Sequence, residues 1–274
     1  MQYGRLIASL PMYDWPQVRA ATDRLWAGIR NRLVDAGLPG APDRLERGTV
    51  VRDQWRSPRL LFSQTCGYPL THAFDGQLTI VATPVYAVAG CDGPTYRSHI
   101  IVNADSDVND PAALAGTRCA YNTGDSLSGM LALQAVFAPL ARDGRFFAEA
   151  VCSGSHLSSM QMVAAGKADV AAIDCVSYAL AAAHMPDLVA GLKIIAESPS
   201  APALPFVTAP ATPSRYCELL RQALVSALCD PDLAEARSAL FLERVEFLDR
   251  RDYDRVLEIE NGVATYGYGP GVLA

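Results

Sequence analysis

Three times between residues 118 and 185 a short apolar run ends in a polar turn and opens a helix. Arg118–Tyr121 passes through Asn122-Thr123-Gly124-Asp125 into Ser126-Leu127-Ser128-Gly129, then into Met130, Leu131, Leu133, Val136 and Phe137 at helical spacing. Ala148–Cys152 turns at Ser153-Gly154-Ser155-His156 into a helix over Leu157–Lys167, and Asp169–Asp174 leads to a helix over Ser177–Met185. Strands alternating with helices in this way predict an α/β fold with mainly parallel sheets.

That alternation has a chemical consequence. In a parallel sheet, consecutive strand-to-helix turns lie at one edge, the carboxyl ends of the strands. The first amides of a helix have no intrahelical acceptor, and the macrodipole adds positive charge there. Ser126, Ser128, Ser155 and His156 therefore bring hydroxyls, free amides and an imidazole to one edge, a setting suited to an anion. The plainer reading is that Ser126 or Asp125 only caps its helix. Asp174, one unit later at the same edge, either caps the next helix or meets a cationic group of a ligand.

The rest of the chain supplies the scaffold. Arg5–Met12 reads as a first strand, with Asp14 as cap and Pro16 in the first turn of a helix whose face is Val18, Ala21, Leu25, Ile29 and Leu33. Arg59–Ser63 is a further strand, and the turn Gln64–Leu70 opens a short helix. Leu78–Ala89 is a long β-prone run interrupted by Pro84, and Tyr96–Asn103 is another strand. Leu192–Ala196 and Leu204–Thr208 are later strands, followed by helix from Ser214 to Leu228 and again between Asp230 and Leu242. The tail Gly262–Gly271, rich in Gly and Tyr, reads as loop. The runs at 78–105 and 192–208 are placed to carry the chain out of one sheet and back. They predict two lobes, residues 1–86 with 198–274 and residues 87–197, hinged near 84–90 and 195–205 with a ligand cleft between.

Composition narrows the function classes. Half of the 274 residues are apolar, enough for a sizeable core. A net charge of −6 opposes a nucleic-acid partner, whose footprint is a basic face. Seven cysteines, without a CxxC or ligand-like cluster, read as reduced and mostly buried thiols, with no metal site. No cofactor motif is present, and no run is long enough to span a membrane. Residues 1–10 run straight into the first strand without a secretory leader. The expectation is a cytoplasmic protein, or a periplasmic one if a leader has been removed.

Ser126-x-Ser128-Gly129, Ser153-Gly154-Ser155-His156, the helix Met160–Lys167 and the run Ala168–Asp174 together resemble the phosphate/phosphite/phosphonate substrate-binding proteins of ABC transporters. The similarity is best over residues 114–177 and weaker, though in order, over 6–89. It implies the type II periplasmic-binding-protein fold, with mixed, mostly parallel sheets in two lobes joined by a two-strand hinge. It further implies that the Ser126–Ser128 turn and His156 hold an oxyanion, and that Asp174 meets an amino group of the ligand. Tyr13, Tyr68, Gln64 and Thr65 are the matching first-lobe contacts, and an ABC permease is the implied partner. The chain departs at Leu127, where the family's turn commonly carries a second hydroxyl, so one donor is missing.

The expected function is thus capture of a small oxyanion-bearing metabolite, a phosphonate or phosphate ester, without catalysis. The rival is a cytoplasmic enzyme on the same fold, as in the leaderless relatives of menaquinone and thiamine-precursor biosynthesis. Cys66, Cys175, His156 and Asp174 would then be nucleophile, base and orienter. A leaderless sensor of a small metabolite is the third reading.

Overall fold

The computed structural model describes residues 6–38 and 40–267. The chain folds as two compact units, residues 1–87 with 203–252 and residues 88–202 with 253–274. It passes from one to the other near residues 87, 202 and 252. The third passage is absent from the sequence reading, which gave the whole C-terminal segment to the first lobe.

The first unit is built on a sheet of β1 (Ile7–Ala8), β2 (Leu60–Gln64), β12 (Phe206–Thr208), β3 (Thr79–Tyr86) and β13 (Leu242–Glu246), in that spatial order. Only β1 and β2 pair in parallel; β12 and β13 run antiparallel to their neighbours. The predicted first strand shrinks to two residues, because pairing with β2 covers only Ile7 and Ala8. Pro84, expected to break the long run, lies inside β3. Pairing with β12 stops at Ala82, so the proline sits where the strand has only β13 as neighbour.

Helix α1 (Arg19–Asp35) buries Leu25, Trp26, Ile29 and Leu33 and packs against α8 (Ser214–Cys229) and α9 (Ala234–Ala239). Asp14 does not cap it: the helix starts at Arg19, and Asp14 instead pairs with Arg47 and Arg19. Every residue of β2 is buried. Phe62 stacks between Trp26 (5.9 Å) and Phe206 (5.2 Å), and the Trp26 indole donates to the Pro42 carbonyl at 3.0 Å. The strand β13 starts at Leu242, where the expected helix ends, in a stretch the sequence assigns to no element; Leu242 and Val245 find β3 as a partner that local pattern does not reveal.

The second unit holds the sheet β10 (Leu192–Glu197), β6 (Ser98–Asn103), β9 (Val170–Asp174), β7 (Arg118–Tyr121) and β8 (Glu149–Cys152). Here β8, β7 and β9 are mutually parallel, while β6 and β10 run antiparallel. A small sheet joins β4 (Cys91–Asp92), β5 (Thr95–Tyr96) and β11 (Ala201–Pro202). The run expected as one strand over Tyr96–Asn103 is interrupted at Arg97, which separates β5 from β6. Phe137, Phe146 and Phe147 form a ring cluster with centroids 4.8–5.0 Å apart. The helix α10 (Asp254–Ala264) packs on α4 (Ala132–Phe137) and β11, so residues read as the start of a loop tail are helical to Ala264. Residues 265–267 of that tail form a turn, and 268–271 lie outside the described residues.

Candidate functional site

The parallel part of the second sheet sets the site. Tyr121 at the end of β7 is level with Cys152 at the end of β8, and Ala120 is level with Ala171 in β9. The three following turns therefore leave one edge, as the alternation of strands and helices requires.

After β7 the chain caps and starts a helix in an unusual way. The Ser126 hydroxyl accepts from the Gly129 amide at 3.0 Å, and Leu127–Leu131 forms a π turn, one residue wider than α, before α4 begins. Such turns are rare and occur mostly as single insertions in helices, often at functional sites. Gly129 has a steric role: a Cβ there would overlap the Asn122 side chain and press on the Asn122 amide nitrogen at 3.2 Å. Gly129→Ala is expected to push Asn122 away and destabilise the fold by about 1–3 kcal/mol, read as a lowered urea midpoint. An unchanged midpoint would mean that the turn relaxes without cost.

After β8, Ser155 caps α5 (His156–Ala164), its hydroxyl accepting from the Ser158 amide at 3.0 Å. His156, the first residue of α5, points its Nε2 at three groups: Ser128 Oγ at 2.8 Å, Asn122 Nδ2 at 3.3 Å and Asp174 Oδ2 at 3.3 Å. The side chains of His156 and Asp174 are 11% and 4% exposed. The other oxygen of Asp174 accepts from the Ser177 amide at 2.9 Å, capping α6 (Cys175–His184). Of the two readings of Asp174, the cap is realised by one oxygen, while the other oxygen faces the His156 ring.

His156 Nδ1 is buried without a hydrogen-bond partner. Burial holds the imidazole's pKa below its usual range, against the opposing pull of Asp174. At pH 7 the ring is therefore neutral. His99 in β6 is lowered as well, by burial, against Glu197 and Asp174. An unfolded histidine takes its proton near pH 6.5, whereas these two resist until lower pH. The unfolded chain therefore binds more protons in that window. Stability should be full above about pH 6.5 and fall as pH drops toward the folded pKa values. Urea midpoints measured from pH 7.5 to 5 should decline, and the decline should flatten in His99→Gln/His156→Gln. A flat profile in the wild-type chain would contradict it.

Asn122 is the residue that sequence reasoning passed over. It reads as turn composition, yet it follows the last β7 residue directly, the position from which a side chain reaches over the edge. Arg97 was missed too. Its backbone carbonyl accepts from the Cys175 amide at 3.1 Å, and it lines a small pocket with Ser98, Leu127, Ser128 and Ser198. Leu127 is 4% exposed and packs inside the unit as an apolar wall.

The first-unit residues have their own neighbours. Tyr13 is 8% exposed and meets the Tyr86 ring edge-on at 5.5 Å. Gln64 Nε2 donates to the Tyr86 hydroxyl and the Leu204 carbonyl, both at 3.0 Å. Thr65 is fully buried, its hydroxyl donating to the Cys66 carbonyl at 3.3 Å. Tyr68 is half-buried and stacks on His72 with centroids 3.8 Å apart.

Two α/β units, the second carrying buried polar groups at the carboxyl edge of its parallel strands, are the architecture of a solute-binding protein. The sequence profile of the ABC-transporter phosphonate, periplasmic substrate-binding protein family matches residues 11–253, and the chain belongs to that family. Solved structures agree on the fold. A binding protein component of an ABC phosphonate transporter from Pseudomonas aeruginosa superposes with a TM-score of 0.77 at 17% identity, covering 96% of this chain and 88% of that one. PhnD1 from Prochlorococcus marinus, in complex with methylphosphonate, gives 0.72 at 15% identity, with 95% and 98% covered. A Xanthomonas citri protein bound to ATP gives 0.68 at 17% identity, with 96% and 98% covered. No curated protein matches at the sequence level. No described helix is long and apolar enough to cross a membrane.

Proposed function

We propose that the Ser126–Ser128 turn, Asn122 and His156 hold the oxyanion of a small phosphonate or phosphate ester, which the chain carries to an ABC permease from the periplasm. The observation that supports this most directly is the convergence of Ser128, Asn122 and Asp174 on one imidazole nitrogen at the strand edge. Ser128 and Asn122 are neutral donors that turn readily from the ring to an anion, and an anion beside the ring favours its protonation, which supplies a further donor. Asp174 would face a cationic substituent such as an amino group. Leu127 replaces a donor by an apolar wall, which suits a ligand with a carbon substituent on that side.

The same geometry opposes the enzymatic reading. In a hydrolytic triad the serine and the carboxylate use opposite ring nitrogens, so that one orients the base while the other gives up its proton. Here both lie on Nε2, and no oriented base results. Cys175 is 1% exposed, and its thiol pKa is pushed well above normal, first by the hydrogen bond with Cys91 and then by burial, so it makes a poor nucleophile.

Titration calorimetry of Ser128→Ala with methylphosphonate, 2-aminoethylphosphonate and inorganic phosphate tests the assignment. We expect affinity for the ligand bound by the wild-type chain to fall about tenfold or more, since each lost charge-assisted hydrogen bond is worth about 1.5–3 kcal/mol. Ser126→Ala separates the two serines, and should cost about 1 kcal/mol of stability through the lost cap. Unchanged affinity in Ser128→Ala would remove the turn from the site.

A further inference from the structure

The seven cysteines read from sequence as scattered reduced thiols, yet two that lie 84 residues apart come together in the second unit. Cys91 Sγ and Cys175 Sγ are 3.4 Å apart. Cys91 opens β4 and is partly exposed, whereas Cys175 is buried at the first position of α6, next to Asp174. The approach is shaped by the backbone. Gly90 has a φ of +96°, which favours glycine, and a Cβ there would sit 2.7 Å from Cys175 Cβ and 3.2 Å from His99 Cε1. Glycine at 90 thus serves twice: it permits the turn, and it lets the loop close down on Cys175.

We propose that Cys91 and Cys175 form a redox-sensitive dithiol pair, closed to a disulfide by a small disulfide oxidant. The partly exposed Cys91, as thiolate, attacks one sulfur of the oxidant; that sulfur stays on Cys91 as a mixed disulfide, and the other leaves as one thiol. Cys175 then loses its proton and attacks Cys91 Sγ, expelling the second thiol. Two protein thiols and one oxidant disulfide give one protein disulfide and two small thiols, so protons and electrons balance. Cys175 is inaccessible to the oxidant itself, which makes Cys91 the entry point. The hydrogen bond with Cys91 and then burial keep Cys175 protonated until the mixed disulfide has formed, which orders the two steps. The bond ties the start of β4 to the start of α6, the helix that Asp174 caps. An oxidising compartment favours the closed form and a reducing one the open form.

The experiment exposes the reduced full chain to oxidised glutathione at pH 8, alkylates the remaining thiols and maps peptides without reduction. The expected result is a dithiothreitol-sensitive Cys91–Cys175 cross-link, with both residues protected from alkylation. The thermal midpoint should rise by about 3–8 °C on oxidation, because the bond closes a long loop in the unfolded chain. In Cys91→Ser the cross-link and the rise should both vanish, with the reduced midpoint near that of the reduced wild-type chain. Recovery of Cys91 as a lasting glutathione adduct, or alkylation of both cysteines after oxidation, would overturn the proposal.

Discussion

Replacing Asp174 by alanine is expected to destabilise the fold by about 2–4 kcal/mol and to remove measurable binding of an amino-bearing anion. Two losses add. One oxygen caps α6 through the Ser177 amide and the other lies 3.3 Å from His156 Nε2, with the carboxylate almost wholly buried. Alanine leaves the amide without its acceptor and the imidazole without its anionic neighbour. Asparagine separates these roles, because it caps as well as aspartate yet carries no charge. For Asp174→Asn we expect stability within about 1 kcal/mol of wild type. Affinity for 2-aminoethylphosphonate should fall at least about tenfold, with that for methylphosphonate little changed. Urea unfolding and calorimetry check the two arms. An equal loss for both ligands would show that Asp174 acts through His156 and not on a cationic substituent.

Phe62→Ala is expected to cost about 3–5 kcal/mol, the largest effect of any single change considered. The ring is fully buried between Trp26 and Phe206, so its removal loses transfer energy and leaves a cavity whose aromatic walls close only in part. The readout can be made local. The three tryptophans, Trp15, Trp26 and Trp55, all belong to the first unit, so their fluorescence follows that unit alone. The fluorescence midpoint in urea should drop, and ligand affinity at low denaturant should remain if the cradle of the second unit carries it. A loss of less than 1 kcal/mol would show that the core collapses around the missing ring.

Much of this was legible from the residues. The strands Arg118–Tyr121 and Val170–Asp174 and the cap at Ser126 were readable because each is written in local chemistry: apolar run, polar turn, hydroxyl, helix. Strand β13 was not, because a half-polar segment becomes a strand only when a partner such as β3 offers its edge. The passage of the chain near residue 252, which gives α10 to the second unit, was equally hidden.

At the site the division is sharper. Sequence alone determined most of the side chains that reach the carboxyl edge of the parallel strands, Asn122 excepted, since periodicity and turn chemistry act over a few residues. It carried Ser126, Ser128, Ser155, His156 and Asp174 to that edge without any coordinate. Tertiary structure decided what they do there. It set Ser128, Asn122 and Asp174 on the same nitrogen of His156. It also buried that ring deeply enough to keep it neutral, and it brought Cys91 to Cys175. Each of these depends on distances between segments tens of residues apart, and on desolvation by neighbours from several strands, which local pattern does not record.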